Sequence, residues 1–270
     1  MLLAVIALIA CVPAVFLGLQ FGVWAGLGIF AGAVLLQALA VFLYLMYLCR
    51  KVEQSVPQEY IDPHYQKVTD LILESVLPIL RIRIKCSGLE KMPENGRFLL
   101  IANHCNDSDP VILMRILGKY QLAFISKREN STMFVIGPMM HKLKAQLINR
   151  ENDREALQTI LKSIEILKED KASEAVFPEG GILTEDGKLH HFKPGVFKIA
   201  QKANVPIVVC TLKNTKDVVR NLLRFKKSRV ELNVLEVIPA ETVKARKTVE
   251  IAEYCHDLMA ADLGPDLVAD

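Results

Sequence analysis

The stretch Phe98-Leu99-Leu100-Ile101-Ala102-Asn103-His104-Cys105-Asn106-Asp107-Ser108-Asp109-Pro110 begins as an apolar, strand-like run and ends in a polar turn. Asp109-Pro110 reads as a helix N-cap followed by proline at the first helical position. The segment is therefore a strand, a loop and a helix in sequence. His104 and Asp109 lie five positions apart, which is wrong for one helix face, where neighbours are three or four apart. The spacing suits a loop that folds the aspartate back toward the imidazole. Histidine is the side chain best able to take a proton near neutral pH, and a carboxylate beside it fixes its tautomer and stabilises its cation. The plainer reading makes Asp109 a cap only; Ser108 takes that role if the carboxylate is engaged elsewhere.

The same alternation extends outward. Strand candidates fall at 81–86, 98–102, 122–126, 146–149, 174–177, 207–212 and 230–237, and helix candidates at 110–118, 153–170, 195–203, 217–225 and 246–263. This order predicts an α/β domain over 83–270, with a mixed, mainly parallel sheet covered by helices. Sites in such folds collect at the carboxyl ends of strands. Ahead of it, the polar stretch 51–64 contains Pro57 and Pro63, as a linker would. Apolar residues at helical spacing (Val68, Leu71, Ile72, Val76, Leu77, Leu80) predict an amphipathic helix over 65–82. Linker and helix together form the segment 51–82.

Nothing from Met1 to Cys49 is Asp, Glu, Lys, Arg or His. A transmembrane helix needs about 20 apolar residues, so residues 1–50 are expected to form a membrane hairpin turning near Gln20 and the glycines after it. The absence of a basic n-region and the length of the run argue against a cleaved signal peptide, and one continuous helix would exceed bilayer thickness. Gly22/Gly26 and Gly28/Gly32 have the small-xxx-small spacing of closely approaching helices. Arg50 and Lys51 follow at once, which places the rest of the chain on the cytoplasmic side. The net charge of +3 over 270 residues gives no bulk signal for nucleic acid. The six cysteines show no paired spacing for zinc or a disulfide framework, in keeping with a reducing compartment.

Three more constellations follow strand-like runs. Gln146-Leu147-Ile148-Asn149-Arg150 delivers a guanidinium suited to a phosphate, unless Arg150 merely pairs with Glu151 or Asp153. Phe177-Pro178-Glu179-Gly180-Gly181 delivers a carboxylate into a Gly-rich turn where backbone can approach a ligand; the plain alternative is a strand-ending turn. Lys127 and Arg128 either neutralise an anionic headgroup or are solvated. His190 and His191 with His104 lack metal-ligand spacing, so no metal is expected.

In this order the segments resemble the glycerolipid acyltransferases, most closely the 1-acylglycerol-3-phosphate acyltransferases. The family's Asn-His-x4-Asp block is matched by Asn103, His104 and Asp109, its arginine-ended block by Arg150, its Phe-Pro-Glu-Gly block by Phe177 to Gly180, and its Val-Pro-Ile-Val strand by Val205 to Val208. Lys127 stands where members have a lysine, and Gly137 fits their Pro/Gly turn. The resemblance covers about 80–215.

It implies a membrane-bound enzyme that moves an acyl group from acyl-CoA or acyl-carrier protein to the free hydroxyl of 1-acylglycerol-3-phosphate, a lysophospholipid, giving phosphatidic acid, without a cofactor. His104 would be the base and Asp109 its orienter. Asn103, Lys127, Arg150, Glu179 and Gly180 would bind the acceptor, and membrane lipids would be partners. The chain departs from the family after Glu179-Gly180. Members commonly continue with a small residue, arginine and serine; here Gly181-Ile182-Leu183 follow, so one phosphate contact is missing. Asn106 stands where serine is frequent, and Cys210 where proline is usual. These departures keep other lysophospholipids or an ornithine-type lipid open as acceptors. A lipid hydrolase would need Cys105 or Ser108 as nucleophile, and a non-catalytic lipid-binding protein would need no base.

Overall fold

The structure, a computed structural model, describes residues 2–182 and 186–269. Met1, Leu183 and Asp270, which the sequence expectations touched, lie outside the described residues. Two apolar helices come first, α1 (Leu2–Phe21) and α2 (Val23–Arg50). Gly22, at φ +94°, makes the break, close to the expected turn. Both helices are long and apolar enough to cross a membrane. They pack where backbones come close: a Cβ built on Gly26 would lie 2.8 Å from the Ala14 carbonyl oxygen and 3.1 Å from the Gly18 Cα. The expected small-residue pairs are therefore reassigned. Gly26 faces Gly18 across the hairpin, Gly22 is the turn, and Gly28 and Gly32 meet nothing.

Helix α3 (Pro63–Ile79) starts earlier than its apolar spacing predicts. Asp62 caps it, accepting from the backbone N–H groups of His64 and Tyr65 at 3.0 and 3.4 Å, and Pro63 takes the first helical position rather than ending a linker. Tyr65 donates to the Leu48 carbonyl at 3.0 Å, and the Tyr44 hydroxyl lies 2.9 Å from His64 Nε2. These contacts tie α2 to α3. Leu77 of α3 joins the main core cluster, so residues 51–82 are not a unit apart from the α/β body.

Among the described residues, seven strands form one sheet in the order β1 (Ile82–Ser87), β7 (Ser228–Ile238), β6 (Ile207–Lys213), β2 (Leu99–Ala102), β5 (Ser173–Val176), β3 (Leu122–Lys127) and β4 (Gln146–Ile148). Only β6 and β7 pair antiparallel, so the sheet is mixed and mainly parallel, as expected. Both faces are covered, which explains the unbroken apolar runs. Phe98, Leu100 and Ala102 join α3 and α4 (Asp109–Leu117) on one face. Leu99 and Ile101 join α6 (Asp153–Lys168), α7 (Lys198–Ala203) and α10 (Thr248–Leu263) on the other.

Two short helices escaped the sequence reading, α5 (Ile136–Lys142) and α9 (Ala240–Ala245). Gly137 is not a turn residue but lies in α5, where an added Cβ would meet the Ser131 carbonyl oxygen at 2.0 Å. Helix α8 (Val218–Leu223) connects β6 to β7.

Glu174 of β5 is completely buried, and neither carboxylate oxygen has a hydrogen-bond partner among the described residues. Burial pushes its carboxyl from the ordinary 4.5 to about 8, against the pull of nearby Ser163 and Lys144. The fold holds this proton to higher pH than the unfolded chain does, so native stability falls as pH rises from 4.5 to about 8. An apolar residue of similar volume has no such ionisation to resist. Glu174→Met is expected to melt a few degrees above wild type at about pH 8 and to lose that margin toward about pH 5, as read by calorimetry of the full chain.

Candidate active site

β2, β5, β3 and β4 are adjacent and parallel, so their carboxyl ends open on one edge of the sheet. The turn after β2 carries His104 and Asp109, the turn after β5 carries Glu179 to Gly181, β3 ends in Lys127, and Arg150 follows β4.

Asp109 is the first residue of α4 and is fully buried. Its Oδ2 lies 3.0 Å from His104 Nδ1 and accepts from the backbone N–H groups of Cys105 and Asn106 at 2.7 and 2.8 Å. The carboxylate thus folds back over the loop rather than capping the helix. Ser108, at the N-cap position, makes no side-chain cap bond either. Asn106 organises the turn, its side-chain oxygen accepting from the Ser108 N–H at 3.0 Å. An ionised carboxylate only accepts, so Nδ1 bears the hydrogen and Nε2 is the basic nitrogen. The imidazole stacks on Phe177, with ring centres 4.0 Å apart. The base is therefore held along its edge by Asp109 and across its face by Phe177.

Glu179, expected to bind the acceptor, is also buried, with both carboxylate oxygens engaged by backbone. One carboxylate oxygen accepts from the His104 N–H at 2.7 Å and the other from the His190 N–H at 2.9 Å. Burial raises its carboxyl to about 7, and these two bonds hold it down from going higher. Glu179 is a brace between the histidine loop and the segment near 190. Asn103, also expected to bind the acceptor, is a buried brace as well. Its carboxamide donates to the Leu212 carbonyl at 2.9 Å and accepts from the Leu212 N–H at 2.7 Å, locking the end of β2 to β6.

Cations gather on the glycine turn. Gly180 and Gly181 have φ of +88° and +140°, conformations that L side chains rarely adopt. A Cβ on Gly181 would lie 2.2 Å from Arg150 Nη1, and one on Gly180 2.8 Å from Lys193 Nζ. Glycine at both positions lets a guanidinium and an ammonium lie against the backbone. Arg150 makes no ion pair with Glu151 or Asp153 among the described residues. The surrounding protein pulls its guanidinium below the ordinary value, and Glu129 opposes that. Lys127 stands apart at the rim, exposed, 3.8 Å from Glu129.

Lys193 was missed in the sequence because it sits in an irregular stretch with no diagnostic spacing. Its backbone N–H donates to the Pro178 carbonyl at 2.8 Å, which pins it beside the turn. It brings an ammonium against Gly180, beside the turn that Arg150 also meets.

A protein-family model described as Acyltransferase matches residues 83–213. Residues 83–213 form an acyltransferase-family domain. The chain is 28% identical over 183 residues, 66% of its length, to a probable 1-acyl-sn-glycerol-3-phosphate acyltransferase from Mycoplasma pneumoniae, of which it covers 67%. It is 28% identical over 187 residues to the 1-acyl-sn-glycerol-3-phosphate acyltransferase of Saccharomyces cerevisiae, covering 68% of this chain and 61% of that one. The Salmonella typhimurium enzyme of that name is also 28% identical, over 184 residues, covering 67% of this chain and 73% of its own. The crystal structure of the 1-acyl-sn-glycerophosphate (LPA) acyltransferase PlsC from Thermotoga maritima shares the fold, with a TM-score of 0.62 at 22% identity over 73% of this chain and 77% of that one.

Among the described residues, neither Cys105 nor Ser108 is set up as a nucleophile for His104. Cys105 donates its thiol to the Gly187 carbonyl at 3.4 Å, and burial with nearby carboxylates pushes it up to about 12. The Ser108 hydroxyl is buried without a partner among the described residues. His190 and His191 do not join His104: His190 lies 3.4 Å from Asp186, and His191 stacks with His256. His104→Ala is expected to lower kcat for acyl transfer by about 10²–10⁴-fold, the usual scale of general base catalysis. Cys105→Ala should leave it nearly unchanged. Release of free thiol from an acyl thioester measures both, and equal loss in the two variants would contradict this geometry.

Proposed function

We propose that this acyltransferase acylates the free hydroxyl of 1-acylglycerol-3-phosphate at a membrane and so makes phosphatidic acid. The single observation that carries the reading is the placement of the His104–Asp109 pair next to a glycine turn flanked by Arg150 and Lys193. That arrangement puts a base beside two cations, as a phosphorylated alcohol requires. The names of the relatives point to the same acceptor.

In the step, His104 Nε2 takes the proton of the acceptor hydroxyl as its oxygen attacks the thioester carbonyl carbon. Asp109 stabilises the imidazolium that forms. The tetrahedral intermediate then collapses with cleavage of the C–S bond, and the imidazolium returns its proton to the leaving thiolate. No acyl-enzyme and no cofactor enter. The donor is an acyl thioester of coenzyme A or acyl-carrier protein. Arg150 and Lys193 hold the phosphate, with Lys127 at the rim, and fixing the acceptor supplies rate beyond proton transfer.

The apolar hairpin keeps the enzyme where acceptor and product reside. Arg50 and Lys51 at its end support a cytoplasmic side for the catalytic domain.

Purified full-length protein in mixed micelles should convert lysophosphatidic acid and acyl-CoA to phosphatidic acid and free thiol. Arg150→Ala and Lys193→Ala should each raise KM for the acceptor about tenfold or more, since hydrogen bonds to charged groups are worth about 1.5–3 kcal/mol. Wild-type turnover on a lysolipid with another headgroup, and none on lysophosphatidic acid, would reject the acceptor.

A further inference from the structure

Residues 214–227 connect β6 to β7 and run from the catalytic turn to the base of the hairpin. At one end Asn106 Nδ2 donates to the Lys216 carbonyl at 3.4 Å. At the other, Arg81 donates its guanidinium N–H to the Phe225 carbonyl, and Ser228 pairs with Ile82. That junction of α3 and β1 is where α1 lies, because Ala4 lines a cavity with Leu77, Pro78 and Ile82.

Between those anchor points the segment sends one apolar residue fully inward, the buried Val218 in the main core. Three other large apolar groups are turned outward: Val219 is 55% exposed, Leu223 76% and Phe225 80%. Phe225 adopts a φ of 55°, a left-handed conformation uncommon for a bulky residue. The bonds from Phe225 N–H to the Leu222 carbonyl and from Lys226 N–H to the Asn221 carbonyl hold it there. Around the apolar groups stand Arg220, Arg224, Lys226 and Lys227, all exposed, and the only acid of the segment is Asp217, paired with Arg220 at 2.8 Å.

Exposed aromatic and aliphatic groups ringed by basic ones are what an interfacial membrane element presents: the apolar groups reach the acyl boundary and the cations meet lipid phosphates. We propose that segment 218–227 is a second membrane anchor, which seats the catalytic edge of the sheet on an anionic lipid surface beside the hairpin. Charge selects the occupant, since a zwitterionic or cationic surface has no use for four clustered cations. Continuity with the hairpin base at Ile82 and Arg81 puts the anchor beside the membrane helices. Its consequence is positional: the loop that begins against Asn106 ends in the bilayer surface, so a lipid acceptor need not leave the membrane to reach His104.

The inference rests on the membrane reading of the hairpin and not on the acyl-transfer chemistry, and fluorescence tests it without turnover. The chain has one tryptophan, Trp24, in α2. Full-length protein is reconstituted into phosphatidylcholine–phosphatidylglycerol liposomes containing phosphatidylcholine brominated high on the acyl chain. Quenching of Trp24 in the wild type reports the hairpin. Phe225→Trp in a Trp24→Phe background reports the segment and is expected to show blue-shifted emission and to lose most of its intensity to the brominated lipid. Adding Arg224→Glu, Lys226→Glu and Lys227→Glu together should restore that intensity. Leu157→Trp in the same background, on exposed α6 across the sheet, should stay unquenched.

Water-like, unquenched emission from the Phe225→Trp variant, while Trp24 of the wild type is quenched, would overturn the anchor and leave the hairpin intact. Blue-shifted but unquenched emission from that variant would assign the patch to a protein partner and overturn it too. Equal quenching of the Leu157→Trp variant would remove the segment's distinction and with it the proposal. Failure of Trp24 itself to be quenched would reject the hairpin reading on which the proposal rests.

Discussion

One carboxylate oxygen, Oδ2 of Asp109, holds the catalytic loop together. It takes the imidazole N–H of His104 and two consecutive backbone N–H groups, all between 2.7 and 3.0 Å. The oxygen is buried, so each of these bonds forms away from competing water. Its position at the start of α4 places a negative charge at the positive end of a helix. The same group therefore shapes the loop, sets the tautomer of the His104 imidazole and would stabilise that ring as an imidazolium. Removing it would alter geometry and chemistry together.

The second buried carboxylate, Glu179, extends that order to the next strand. It binds the His104 backbone from the β5 turn, so the base and the glycine turn move as one piece. Asn103 does the same toward β6 through Leu212. The polar residues expected to touch substrate thus divide into two kinds. Those buried at the strand ends brace the loops, and Arg150 and Lys127 remain accessible, joined on the glycine turn by Lys193, which the sequence did not single out. Burial decides the division, since a buried polar group must find its partners within the protein.

The two apolar helices are attached by equally specific means. Tyr65 and His64 of α3 grip α2, and the close approach of Gly18 to Gly26 lets α1 fold back along α2. Helix α3 is thus shared between the hairpin and the sheet, with Leu77 in the main core. That sharing fixes the catalytic edge relative to the apolar helices rather than leaving it on a free tether.

The sequence by itself determined the strands, the two apolar helices and the pairing of His104 with Asp109. Those features follow from local pattern: apolar runs between turns, an uncharged stretch, and a spacing that only a loop can close. Helix limits were less legible where caps outweighed periodicity, as at Asp62-Pro63. The short helix α5 carried no clear period. What only the tertiary structure decided is which polar groups face each other. The Glu179 and Asn103 side chains bind backbone contributed by residues 75 and 109 positions away, and Lys193 reaches Gly180 from an irregular segment that only folding brings near. Such contacts depend on strand order and on where the chain returns to the sheet's carboxyl edge. No local spacing encodes them.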